Sequence, residues 1–367
     1  MVEAPSGEPD EGGACDYTCY ETLKGCRSGN LSRRKAKIDF RFGSFSAAWT
    51  AGNGETSLAG KCGLNDMKGE IAMKVLALYI EGDIYPGQDT DPEKVVKAIT
   101  QSVLTTPILS LFHVNCSAET CPNGQSPEGS HDADIAFNDT LVVRDGAYVG
   151  DAAWPDMIKS LRAGKVSKIF ASFGGYNVPD YQRIGTLIEK YGTGPNSPLY
   201  KNFACLKDTL GLDGIDFDDE DAYVEKTVVE FAEMLLGMGL EVTFCPYMNM
   251  SFWTACIQKL GADKLSWLNL QCYAGGKGNN PGDWASMGVP LVAGICADCC
   301  CVQTNCSPSQ VQALFKLWTT GEGGVSSDCW SGSPGGAVAL HGGFIWEYSE
   351  VVGELDGYVD AMAAGLS

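Results

Sequence analysis

From Asp213 to Asp221 the chain reads DGIDFDDED, acidic residues interleaved with Ile215 and Phe217. A strand sends alternate side chains to opposite faces. Asp216, Asp218 and Glu220 therefore share one face, and Ile215 and Phe217 share the other. Carboxylates this close cannot all ionise at ease. Mutual repulsion and partial burial raise at least one pKa, the condition a general acid needs near neutrality. A calcium loop is the competing reading, but it wants Gly in sixth place and no buried aromatic between its ligands. Here Gly214 stands second and Phe217 sits in the middle.

Such a strand needs neighbours to hold it. Apolar runs of strand length recur over 72–80, 106–114, 167–173, 212–218, 240–247, 267–273, 289–295 and 342–348. Helical signals lie between them. Val228, Phe231, Leu235 and Met238 fall on one face of a helix, and Ser307 with Pro308 makes a helix start. Eight buried-type strands alternating with helices predict an α/β chain folded as a (β/α)8 TIM barrel. A doubly wound open sheet is the alternative, yet no glycine-rich phosphate loop opens a helix. In a barrel the acidic face points into the lumen, with Glu220 nearest the carboxyl mouth. The long connection 115–150 is expected to form a hairpin walling a cleft there. Residues 1–70, rich in Gly, Ser and Cys, read as a loop-rich, disulfide-stapled extension, and 71–367 as the catalytic barrel.

A net charge of −20 and a pI near 4.5 argue against nucleic acid and anionic membrane surfaces as partners. A neutral or cationic ligand fits. No run approaches the 18 or so apolar residues of a membrane span. Sixteen cysteines read mostly as disulfides of a secreted protein. The run CADCCCVQTNC (296–306) has no His nearby and irregular spacing, which speaks against zinc; no metal is expected. Asn30, Asn115, Asn138, Asn249 and Asn305 carry the glycosylation pattern, with Cys in the middle position after Asn115 and Asn305. The polar, acidic start lacks a basic flank and an apolar stretch, and reads as a mature form with an added initiator Met.

The stretch Asp213 to Glu220 resembles the signature of family 18 glycoside hydrolases, the chitinases and endo-β-N-acetylglucosaminidases. Supporting motifs follow the family's order: SFGG at Ser172–Gly175, QCY at Gln271–Tyr273, and GGFIWEY with Trp346 on the eighth strand. The resemblance implies substrate-assisted hydrolysis, the known exception to two-carboxylate schemes. Glu220 would be the acid and then the base. Asp218 would orient the substrate's acetamido group, Asp216 would share a proton with Asp218, and Tyr273 would bond the acetamido oxygen. Trp346 would be the sugar platform, and Gln271, Tyr79 and Asp213 would belong to the sugar site. Ser172, Gly174 and Gly175 read as packing and close-approach positions, and His113 as a loop or cleft-wall residue. No cofactor is implied. The expected partner is an N-acetylglucosamine-containing oligo- or polysaccharide, chitin or an N-glycan core, met by a monomer. A chitinase-like lectin is the rival from another class. One departure is Ala274, where the family often has Asp or Asn.

Overall fold

The chain divides into two units, Met1–Ile71 and Ala72–Ser367. A computed structural model describes residues 74–87, 91–121, 126–299 and 304–367, all in the second unit. The extension read over 1–70, with Asn30 and Cys15, Cys19, Cys26 and Cys62, lies outside the described residues, as do Cys300 and Cys301.

Eight strands form in chain order: β1 Val75–Ile80, β2 Thr106–Val114, β3 Phe170–Gly175 and β4 Gly214–Asp219, then β5 Glu241–Phe244, β6 Trp267–Gln271, β7 Leu291–Cys296 and β8 Gly342–Trp346. Each pairs in parallel with the next, and β8 pairs with β1. The sheet is closed. Helices fill the crossovers and make the outer layer, which is the (β/α)8 barrel the sequence predicts.

Alternation along each strand creates two separate interiors. Outward, Phe217 packs on Phe231 and Phe244 at ring-centroid distances of 4.9 and 5.5 Å. Phe231 comes from helix α1, Glu225–Gly237, whose Val228, Phe231 and Leu235 are fully buried, while Met238 serves as its half-buried cap. Burying each such side chain contributes about 1.5–3 kcal/mol. Inward, Ala77, Ile108, Phe170, Trp267, Val292 and Phe344 fill the lumen. Gly214 leaves room for that filling, since a Cβ there would stand 2.2 Å from the Phe170 ring. Helix α2, Pro308–Thr320, starts where the sequence places it, on a reciprocal Ser307–Gln310 capping box.

The connection 115–150 forms the hairpin expected at the carboxyl side, extended by a third strand. Strands Ile135–Phe137, Thr140–Arg144 and Ala147–Tyr148 form an antiparallel meander that pairs with the carboxyl end of β2. It does not line the lumen. Phe137 packs on Phe112 and Trp154, both at 4.8 Å, in the layer between barrel and helices. Asn202, on a neighbouring helix, donates to Ala133 O and accepts from Gly146 N, tying the meander outward. Its apolar side chains settle against the helix layer, where they find more apolar surface than a mouth lined with acids.

The cysteines split into two populations. Cys116–Cys121 and Cys306–Cys329 are disulfides, and Cys296 is also bonded. Cys205, Cys245, Cys256 and Cys272 are free, so the reading of mostly paired cysteines has its exceptions in the barrel body. The last three are buried and act as small apolar side chains; burial pushes the Cys256 thiol up to about 12. Asn115 is also buried and accepts from Arg183 Nη1 (3.1 Å), so the folded chain does not offer it as a glycan acceptor. Asn249 and Asn305 are exposed.

Candidate active site

At the centre lies Asp216, with no solvent exposure. Four strands converge on its carboxylate. Tyr79 Oη of β1 (2.8 Å) and Ser172 Oγ of β3 (2.7 Å) donate to Oδ2. Thr243 Oγ1 of β5 (2.7 Å) and Asn269 Nδ2 of β6 (2.9 Å) donate to Oδ1. Trp267 Nε1 in turn donates to Asn269 Oδ1 at 2.8 Å and fixes the amide. Burial raises the Asp216 pKa, and these four donors oppose the rise.

Asp218 sits one step nearer the mouth, 4% exposed. Burial first, then the charges of Glu220 and Asp216, push its pKa well above the carboxylate range. Glu220 is raised too, by burial, against hydrogen bonds from Gln271 and Asp218. Asp218 and Glu220 act on each other's ionisation, so a proton on one of the two is favoured over two neighbouring negative charges. Gln271 Nε2 lies 2.9 Å from Glu220 Oε1, 3.2 Å from Asp218 Oδ1 and 3.2 Å from Cys245 O, clamping the pair. The pair can therefore deliver a proton at the mouth.

An aromatic floor stands beside it. Tyr273, just after β6, stacks on Trp346 at 17° with centroids 6.4 Å apart. Tyr79 approaches Trp346 at 5.4 Å and Phe344 at 5.1 Å. Trp346 is half-buried, so part of its ring faces the mouth.

Backbone approach explains the glycine at 174. In the register of β3 with β4, Gly174 stands opposite Asp218 at φ 115°. A Cβ there would lie 2.1 Å from Asp218 O. Only glycine fits.

Asp216, Asp218, Glu220, Gln271, Tyr273 and Trp346 thus come together at one end of the lumen. Tyr79 joins them from beneath, fully buried with its hydroxyl spent on Asp216, so it positions a carboxylate rather than lining the sugar site. Asp213 does not belong to the site. It precedes β4 at the amino-terminal end, where it pairs with Arg162 Nη2 (2.5 Å) and accepts from Ile169 N (2.7 Å). Its motif neighbours face the lumen only from Asp216 onward, because strand direction carries Asp213 to the far end. His113 is bound to Asp180 at 2.8 Å.

Sequence reasoning missed four supporting residues. Thr243 and Asn269 lie on strands that carried no acidic signal, and Cys245 presents its thiol 3.2 Å from Tyr79 Oη. Asp219 is the fourth. Buried at 2% exposure, it accepts from Ala222 N (2.9 Å) and Tyr223 N (3.0 Å), holding the loop that follows Glu220. Burial pushes its carboxyl up to about 6. An Asp at a strand end followed by a polar loop is the local signal for such a turn. Among the described residues no group of three or more His, Cys, Asp or Glu could hold a metal ion, and no helix is long and apolar enough to cross a membrane.

No family model and no curated protein sequence matches the chain. Solved structures do resemble it, chitinases among them. A protein assigned as chitinase A in Streptomyces coelicolor aligns at 13% identity and TM-score 0.50, over 80% of this chain and 98% of that one. A family 18 chitinase from Crocus vernus gives 13% and 0.48, over 79% and 98%. A chitinase-like agglutinin from Robinia pseudoacacia gives 13% and 0.45, over 79% and 99%. At such identities the likeness is one of fold.

Proposed function

We propose that this chain is a family 18 type glycoside hydrolase that cleaves β-1,4-linked N-acetylglucosamine, as in chitin, with retention of configuration. The observation that carries the reading is the Asp218 and Glu220 carboxyls, both bonded by Gln271 Nε2, beside the Trp346–Tyr273 floor. Two-carboxylate glycosidases keep their acids about 5–5.5 Å apart for a direct nucleophile, or about 6.5–9.5 Å apart to admit water. Here Asp218 and Glu220 are clamped by one amide, Gln271, and the family resemblance implies that the nucleophile comes from the substrate.

In this reading Glu220 gives its proton to the glycosidic oxygen as the bond to the anomeric carbon breaks. The substrate's acetamido oxygen closes on that carbon to form an oxazolinium ion. Asp218, its charge supported through Asp216, stabilises the cation, and Tyr273 orients the acetamido group. Glu220 then takes a proton from the water that attacks the anomeric carbon, opening the ring from the face first occupied by the leaving group. No cofactor enters. The disulfides at 116–121 and 306–329 support a secreted, disulfide-permissive setting, with 1–70 as an extension to a catalytic barrel and a monomer as the working form.

Mass spectrometry of products from chitooligosaccharides, and separately from a high-mannose glycoprotein, tests the substrate. Chitooligosaccharides should be cut, fully deacetylated ones should resist, and a thiazoline mimic of the oxazolinium ion should inhibit. Equal rates on fully deacetylated chitosan would exclude the mechanism. Cleavage confined to the glycoprotein would make the chain an endo-β-N-acetylglucosaminidase, and binding without turnover would make it a lectin.

A further inference from the structure

At the end of the barrel opposite Glu220, the starts of β1, β2, β3, β6 and β8 surround a recess of about 110 Å³. Lys74, Thr105, Thr106, Lys168, Trp267 and His341 are among its lining residues, and no carboxylate is. Its floor is the Trp267 indole, 1% exposed. Lys168 Nζ stands 5.4 Å from that ring and the His341 imidazole 6.1 Å from it, so both face the same space. Lys74 Nζ spends one donor on Leu340 O (2.6 Å), and Lys168 Nζ spends one on Glu241 Oε2 (2.6 Å). An ammonium has three. In a chain of net charge −20, three basic side chains meeting at one recess run against the composition. Glu241 offsets Lys168 from behind, but the three bases still oppose one another across the recess, and a lining without carboxylates focuses the field on whatever enters.

We propose that this recess binds a small tetrahedral oxyanion, a phosphate or sulfate group, with Lys74, Lys168 and a ring N–H of His341 as its donors. The volume admits three or four waters at about 30 Å³ each. That leaves room for a tetrahedral group. The anion supplies the negative charge the lining lacks, and its bonds to both ammoniums are charge-assisted. Burial, then Lys74 and Lys168, lowers the His341 pKa. A bound anion reverses the electrostatic part, so binding tightens as pH falls and His341 takes a proton. The groups facing His341 are Lys74 from β1, Lys168 from the approach to β3 and Trp267 from β6, with Glu241 of β5 behind Lys168. This site is independent of the catalytic reading of the mouth.

The test is titration of the full chain with sodium phosphate, sodium sulfate and phenyl phosphate against sodium chloride of equal ionic strength. Calorimetry and the histidine ring resonances are followed together. Phosphate and sulfate should bind saturably and shift His341, raising its pKa, while His113 and His131 stay still. Phenyl phosphate binding as tightly as phosphate would show that the group is accepted at the end of a larger molecule; rejection of phenyl phosphate alone would restrict the site to the free ion, which the proposal includes. Lys74→Ala and Lys168→Ala, both at solvent-accessible positions, should each weaken binding about tenfold or more, and Lys168→Arg should retain most of it. A chloride effect equal to phosphate, an unmoved His341, or wild-type affinity in both Ala variants would overturn the site.

Discussion

The two ends of the barrel handle charge in opposite ways. At the amino end, acids meet bases. Asp213 pairs with Arg162 and Glu241 with Lys168, all four side chains about one-third exposed, an arrangement that contributes about 0–1 kcal/mol per pair. At the carboxyl mouth, acids meet acids. Asp216 is satisfied by four neutral donors, Asp218 and Glu220 are both raised by burial, and Glu81 is pushed up to about 8 by burial and by Glu347, Asp83 and Glu350. Burial likewise takes Glu350 up to about 8. Packing alone would not collect so many like charges away from water. Perturbed acids of this kind concentrate where proton transfer is needed, and in barrels of this class chemistry sits at the carboxyl face while the amino face serves stability.

The largest expected effect comes from removing the transferable proton at the mouth. Glu220→Gln should lower hydrolysis of chitooligosaccharides by at least about a hundredfold, with oligosaccharide affinity little changed because Trp346 and Tyr273 are untouched. Wild-type turnover in this variant would break the assignment of Glu220.

A backbone change at the same end should come next. Gly174→Ala places a Cβ against Asp218 O at a positive φ, which should cost about 2–4 kcal/mol of stability in urea unfolding. A neutral result would mean that β3 and β4 can part without cost.

The two ends should also respond to pH in opposite senses. Glu81, Glu350 and Asp219 have folded pKa values above their unfolded ones. Their contribution is fully present below the unfolded values near 4 and is lost as pH rises through about 6 for Asp219 and about 8 for the glutamates. His341, with a lowered folded pKa, acts in the other direction, losing stability as pH falls through its range. The melting temperature should therefore fall from pH 5 to 8, less steeply in Glu350→Gln and more steeply in His341→Gln. A wild-type melting temperature that climbs over this interval would contradict the buried-acid account.

The smallest effect belongs to the amino end. Lys168→Ala, measured in urea without added phosphate or sulfate, should change stability by no more than about 1 kcal/mol. A loss of several kcal/mol would make this end a structural keystone and erase the contrast.

Much of this architecture was legible along the chain, for local reasons. Strand alternation is a property of single residues and their neighbours, so DGIDFDDE announced an acidic inward face before any partner was known. The runs at 106–114 and 342–348 mark β2 and β8, and Ser307–Pro308 marks the start of α2, because strand length, buried composition and capping are also local. Closure of the barrel brought the rest together. Asp216 is held by residues 27 to 137 positions away, and nothing in the spacing of Tyr79, Ser172, Thr243 and Asn269 reveals that they meet. Which end of β4 faces the mouth decided that Asp213 braces the floor while Glu220 reaches the cleft. A cysteine count could not say which thiols come within bonding distance, and only the barrel shows that Cys245 and Cys272 are buried as free thiols. The basic recess is drawn from the starts of five strands. No sequence pattern marks it, because its residues become neighbours only when the sheet closes.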